Sequence, residues 1–585
     1  MAGLLLFGAA CNAGRPERSA GRQPDVARTS EASSASSSAR DSGRAGHNAK
    51  AAATLPRDIR PAPRATLALP TLQPPPALTP VFHRGRREAL RPRLPAHSVA
   101  VLFAAPPRLL AADVDYPFHQ DPDFYYLTGL REPGAVLLLF ADPQPNPAAG
   151  GPPITEQLYV QPRDPFYEQW NGARLGPEGA ARTLGFGRVL PTAEFVRHPP
   201  NLARFEHVCW LLPRPGENGR DTPEDSTELA DLARVFYQKA IVPANFNPLR
   251  ERLYAQIRRP RRQPEKFRVM LASLVKTTPA LQRDAPLLTY LNARDSVARE
   301  AAIRAFPPPG RLDVTTLDEV LNELREIKQS EELALLRYAI AVSVTGHRET
   351  LKAIAPDQSE ADLDGIQQHV FRHYRCRADG YWPIVGAGAN GCVLHYEANE
   401  KARVGAEMVV MDVGAAYGGY TADVTRTAPG SGRFSLEQRA IYELVLKAQE
   451  AGIAASRAGN DFFQPGKEAQ KIIAAGLIQL GLITAPDSVA RYFPHGTSHY
   501  LGLDVHDRGL YGPLRAGSVI TVEPGIYIPP NSPCDPKWWG IGCRIEDDIL
   551  ITSGKPENLS AGVPRAVAEV EALIAEPSGL DGWIR

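Results

Sequence analysis

Apolar residues follow three regimes along this chain. From residue 12 to about 80, segments such as SEASSASSSARDSGRAG and PPPALTP show no apolar periodicity. Such composition cannot bury enough apolar surface to fold, so residues 1–80 are predicted to be a disordered leader. From about residue 81 the pattern changes. SVAVLFAA (98–105) and AVLLLFA (135–141) are short runs rich in Val and Leu that read as buried strands. Between them lies DYPFHQDPDFYYLTG (115–129), dense in aromatic residues. Segments 143–157 and 213–227 read as loops, and 228–310 alternates helical stretches with Pro-rich breaks such as FPPPG (306–310). The prediction is an N-terminal domain over 81–310, with 215–310 as an insert or linker.

The third regime begins near Leu312. Ser330, followed by Glu331 and Glu332, is predicted to cap a helix on which Leu333, Leu336, Ile340 and Val344 recur at helical spacing. Ser359 opens a second helix to about His373, and Ser435 with Gln438 forms a capping box for a third, to about Ala455. Strand-like runs are interleaved: EMVVMDVG (407–414), YTADVTRTA (420–428), SVITVEPG (518–525) and CRIEDDILIT (543–552). Helices mixed with strands joined by hairpin-like turns predict an α+β domain over 311–575, followed by a tail at 576–585.

Composition narrows the function classes. With 585 residues the chain is too long for one ordinary core. Its 43% hydrophobic and 22% charged content is that of a globular protein. A net charge of +1 gives no global attraction to nucleic acid or membranes. Six scattered cysteines without a CxxC pair argue against a disulfide scaffold or a thiolate zinc site; a Cys534–Cys543 bridge is the one pairing considered. No run of about 18 apolar residues predicts a membrane-spanning helix. Met1–Cys11, MAGLLLFGAAC, is similar to the end of a lipoprotein signal but lacks a basic start, which leaves cytoplasmic and exported locations both open.

The chemistry concentrates in the third regime. In VVMDVGAAYGGYTADVTRTA two strands flank a turn. With Tyr417 and Gly418 as the loop, Asp412 stands directly opposite Asp423, about 5 Å away at Cβ. Two facing carboxylates call for a cation, and a divalent metal pair about 3.5–4 Å apart needs bridging carboxylates of this kind. The alternative is a solvated hairpin with two polar positions. Glu523 in SVITVEPG and Glu546 in CRIEDDILIT are acids inside otherwise apolar strands, expensive to bury unless paired or bound to metal. FPHGTSHYLGLDVHD adds His495, His499 and His506. A His and carboxylate cluster is what a hydrolytic metal centre requires. A zinc helix of the HExxH kind is discounted, because Gly496 and Gly502 weaken a helix there and the motif's Glu is absent.

The order Asp412, Asp423, His499, Glu523, Glu546 within these motifs resembles the pita-bread (creatinase/aminopeptidase) metallopeptidases. HGTSHYLGLDVHD, TVEPGIYI, GIGCRIEDDILIT and IVGAGANGCVLHY look most like aminopeptidase P, and FHQDPDFYYLTG with SVAVLFAA looks like that family's N-terminal domain. The resemblance implies a C-terminal pita-bread catalytic domain preceded by a smaller α/β domain. It implies an X-Pro aminopeptidase that removes the residue before a penultimate proline through a hydroxide bridging two divalent metals, usually Mn2+. It also implies peptide substrates and a dimer or tetramer.

By motif, Asp412 would bind one metal, Asp423 and Glu546 would bridge, and His499 and Glu523 would complete the second, with Glu523 as general base. His395 and His506 match positions that stabilise the tetrahedral intermediate or shuttle protons, and His495 matches a substrate-pocket position. Arg544 is expected to support the carboxylates. Tyr381, Trp382, Trp538 and Trp539 are candidates for the pocket wall, while His119, His207, His347, His369 and His373 are assigned no role. Prolidase, an X-Pro dipeptidase, would use the same ligands. A non-catalytic binding protein or a metal-free creatinase-like hydrolase conflicts with an intact ligand set.

Overall fold

The computed structural model describes residues 69–580, apart from 113, 148–149, 212–226, 259–263 and 377. Most of the expected leader, including Met1–Cys11, and the last five residues lie outside the described residues. No helix among the described residues is long and apolar enough to cross a membrane.

The first unit is built on a six-stranded mixed sheet. Its order is Val189–Pro191, Ile154–Val160, Val136–Gln144, Ser98–Phe103, His207–Trp210 and Leu312–Asp313. The two Val/Leu-rich runs are its antiparallel centre, with Val101 opposite Leu138. Continuous burial along Ser98–Phe103 explains why these strands show no polar alternation. One face packs against the helices Pro80–Leu90 and Pro122–Thr128. The second of these is the aromatic motif. Asp121 caps it by accepting from the Phe124 amide at 2.8 Å, Pro122 opens its first turn, and Gly129 ends it in the left-handed region (φ 73°).

The stretch between His207–Trp210 and Leu312–Asp313 carries helices Thr227–Lys239, Pro248–Ile257, Pro264–Thr277, Ala285–Asn292 and Ser296–Arg304. The last four enclose a small core of their own, including Tyr254, Leu271, Leu287 and Phe306. Helix Thr316–Glu326 then leads into the second unit.

There, short curved strands are wrapped by the long helices Ser330–Ala353, Glu360–His373, Leu436–Ala455 and Gln464–Gln479. Ser359 and Ser435 cap their helices, each in a reciprocal capping box, with Asp362 and Gln438 respectively. The first helix differs from expectation. Its cap is Gln329, not Ser330, because Glu332 reaches back to the Gln329 amide at 2.9 Å. Leu69 and Leu72 at one end and Leu580 at the other pack against this second core. Cys534 and Cys543 are free thiols, so the bridge considered from sequence is not formed.

Candidate metal centre

The Asp412 hairpin forms, in a different register from the one expected. Asp412 pairs with Thr425 rather than Asp423, and the two loop residues are Gly418 and Gly419, after the pair Tyr417–Tyr420. Both glycines have positive φ (64° and 97°), as a two-residue hairpin turn of this hand requires. The slip relative to expectation is two residues. An even slip preserves side-chain faces, so the two carboxylates still converge, diagonally instead of face to face. The Tyr381 hydroxyl lies between them, in contact with Asp412 and 2.6 Å from Asp423 Oδ1.

Two breaks in the strands and one flanking loop bring the other candidates to the same spot. Glu523 sits between Val519–Val522 and Gly525–Ile528, its amide bonded to the Thr497 carbonyl at 2.9 Å. Glu546 sits between Ile541–Arg544 and Asp547–Leu550, its amide bonded to the Thr425 carbonyl at 3.1 Å. Its side chain accepts from Thr425 Oγ1 at 2.6 Å. His499 lies beside the strand Val519–Val522, with its Nε2 3.2 Å from Asp423 Oδ2 and 3.8 Å from Glu523 Oε1. Asp423, His499 and Glu546 each offer a ligand atom, and these atoms lie within 4.8 Å of one another. Asp412 joins this trio through Tyr381, and Glu523 through His499.

Arg544 ties the group together from below. It donates to Asp412, to Tyr527 Oη at 2.9 Å and to Thr425 Oγ1 at 3.2 Å. Sequence reasoning treated Tyr381 only as wall and missed Tyr527 and Thr425. The signal was present: Tyr527 follows Glu523 by four residues and Thr425 follows Asp423 by two, the even spacing that places residues on one side of an extended chain. Tyr527 also contacts His495 Nε2 at 2.8 Å, while the His495 Nδ1 faces the Gly496 carbonyl at 2.7 Å. His506 packs edge-on against His499, with ring centroids 4.4 Å apart. His395 is exposed on the loop after Asn390–Cys392. Trp538 is buried in the core and Trp539 donates to the Ser532 carbonyl at 3.0 Å, while Trp382 is exposed.

The electrostatics show a shortage of positive charge. Burial, reinforced by the neighbouring carboxylates, raises Asp423, pushes Glu546 well up and brings Glu523 to about 8. At Asp412 burial acts the same way, but Arg544 and Tyr381 outweigh it and hold the carboxyl below its ordinary value. Burial disfavours the charged form of His499, yet Asp423 and Glu523 overcome it and raise the imidazole to about 8. His495 and His506 stay neutral, lowered to about 3 by burial and by the charges of Arg544 and His499 respectively. Acids that repel one another in a buried, oxygen-rich pocket with one imidazole are a donor set that fits divalent cations.

Comparison with known proteins agrees with this chemistry. Residues 334–553 match the metallopeptidase family M24, and residues 83–209 match the aminopeptidase P N-terminal domain. The "Xaa-Pro aminopeptidase" of Escherichia coli K12 is 32% identical over 502 residues, covering 84% of this chain and 96% of the relative. The chain belongs to the aminopeptidase P family. Its fold is that of the family, an M24 pita-bread domain preceded by a smaller α/β domain. Aminopeptidase P from E. coli, solved with the inhibitor Pro-Leu, aligns at a TM-score of 0.65 and 31% identity, covering 85% of this chain and 99% of that one. Pseudomonas aeruginosa aminopeptidase PepP aligns at a TM-score of 0.65 and 30% identity, covering 85% and 98%. Like other aminopeptidase P family members, the chain is a metallopeptidase, a hydrolase that uses divalent metal ions.

Proposed function

We propose that this chain is an X-Pro aminopeptidase that releases the N-terminal residue from peptides with proline at the second position. The observation that carries the reading is the convergence of Asp423, His499 and Glu546, with Asp412 and Glu523 alongside, in a chain whose relative at 32% identity is named for that activity. Asp412, Asp423, His499, Glu523 and Glu546 would hold two divalent cations, most simply manganese. When bound, the cations supply Lewis acidity to the scissile carbonyl and to water at near-neutral pH.

The protein groups do the rest. Glu523, largely buried beside His499, takes the proton from the attacking water and returns it to the proline nitrogen as the C–N bond breaks. Water thus ends divided between the new carboxylate and the prolyl amine. His506 and His395 donate toward the carbonyl oxygen as it gains charge, and His495, fixed by Tyr527, lines the substrate pocket. Arg544 keeps Asp412 ionised and oriented.

Product analysis on two peptides tests this. An Xaa-Pro-Yaa tripeptide is expected to yield free Xaa and Pro-Yaa after Mn2+ is supplied. Cleavage confined to an Xaa-Pro dipeptide would identify a prolidase instead.

A further inference from the structure

An ionic cluster away from the metal ligands joins the two units at the loop that carries His506. Arg325, only 1% exposed, donates to Asp123 Oδ1 at 2.6 Å, to Asp504 Oδ2 at 3.1 Å, and to Asp507. Lys328 is paired with the other oxygen of Asp507 at 3.0 Å. Arg508 grips both oxygens of Asp123, at 2.8 Å from Nε and 2.6 Å from an amino group, and its other arm reaches Asp318 at 2.7 Å. Residues 504, 507 and 508 therefore bracket His506 on both sides, and each is held by a charge outside the loop.

Asp123 belongs to the aromatic-motif helix of the N-terminal unit, 385 positions from Arg508. That helix also reaches the turn of the Asp412 hairpin. A Cβ at Gly419, in the turn of the Asp412 hairpin, would lie 3.2 Å from Leu503 and 3.6 Å from the Tyr125 ring. Burying so many charges is costly, and a hydrophobic contact would join two domains at least as well. The arrangement instead supplies directional bonds at both flanks of one histidine, and a displacement of about 1 Å at such a residue slows catalysis steeply.

We propose that Asp123, acting through Arg325 and Arg508, is a positioning residue of the reaction: it fixes the loop 502–508 so that His506 stands over the metal centre. The N-terminal unit then contributes to catalysis without touching substrate at this point. The inference rests on the reading of His506 as a donor to the reacting carbonyl.

A double-mutant cycle on the full-length, Mn2+-loaded chain tests it. Asp123→Asn is expected to lower kcat roughly 10- to 100-fold while KM and Mn2+ affinity, read by calorimetric titration, stay as in the parent. In a His506→Ala background the same substitution is expected to change kcat by less than about twofold, since coupled residues are not additive. An unchanged kcat in the single variant, or an equal loss in both backgrounds, overturns the positioning role while leaving His506 in place. Full activity of His506→Ala removes the reading of His506 and the positioning role with it. If Asp123→Asn fails to fold, Asp318→Asn, which removes one outer anchor of Arg508, carries the same cycle with a smaller expected loss in kcat and the same dependence on His506.

Discussion

At the scale of single residues, every acid at the centre is defined by its neighbours. Glu523 is the least buried of them, its side chain 13% exposed. Its replacement by Gln keeps the shape and removes the proposed base, so kcat is expected to fall by about 10²–10⁴-fold with the protein still folded; steady-state kinetics checks this. Arg544 has the opposite character, a structural cation under Asp412. Arg544→Met leaves that buried carboxylate unpaired and is expected to destabilise the metal-free protein by about 3–5 kcal/mol, with Mn2+ restoring part of the loss. Urea unfolding with and without Mn2+ measures both terms. The candidate ligands were legible because acids in apolar strands and a His-rich glycine loop violate the ordinary pattern. Tyr381 was harder to read. Its hydroxyl meets Asp412 and Asp423 only through tertiary packing, and aromatic residues are usually just core.

Among the elements, capping chemistry was readable from local sequence and register was not. Ser359 and Ser435 cap as their spacing with Asp362 and Gln438 requires. In the Asp412 hairpin, two registers an even number of residues apart present the same faces, so the polar pattern cannot distinguish them. The turn decides, because Gly418 and Gly419 together adopt positive φ. Gly419→Ala places a side chain on a φ of 97° and 3.2 Å from Leu503, and should cost about 1–3 kcal/mol. A lowered unfolding midpoint together with weaker Mn2+ binding is the expected outcome, read by thermal unfolding and calorimetry. The internal strand breaks at Glu523 and Glu546 escaped a reading that treated each run as one continuous strand; each break frees an acid from the ladder to face the centre.

For the whole molecule, two units share one apolar seam in which Phe124, Tyr125, Leu335, Tyr420 and Leu503 take part. The sequence separated the units by composition but could not show this seam, since its residues come from distant segments with no shared period. His83 is buried on the N-terminal side, its Nδ1 3.0 Å from the Tyr126 carbonyl. Burial lowers its pKa from 6.5 to about 4. Between those values the unfolded chain binds a proton that the folded chain refuses, so stability falls as the pH drops through that window. The loss at the bottom of the window is about 3 kcal/mol. His83→Gln should flatten that part of the pH–stability curve, measured by urea unfolding from pH 7 to pH 4.

One titration tests the proposed two-cation X-Pro aminopeptidase most directly. Mn2+ is returned stepwise to the metal-depleted chain while hydrolysis of an Xaa-Pro-Yaa tripeptide is followed by mass spectrometry. Free Xaa and Pro-Yaa should be absent at the start and rise to a plateau as two equivalents bind. Undiminished cleavage of the tripeptide after complete metal removal, or no cleavage of it at full loading, would contradict a two-cation X-Pro aminopeptidase.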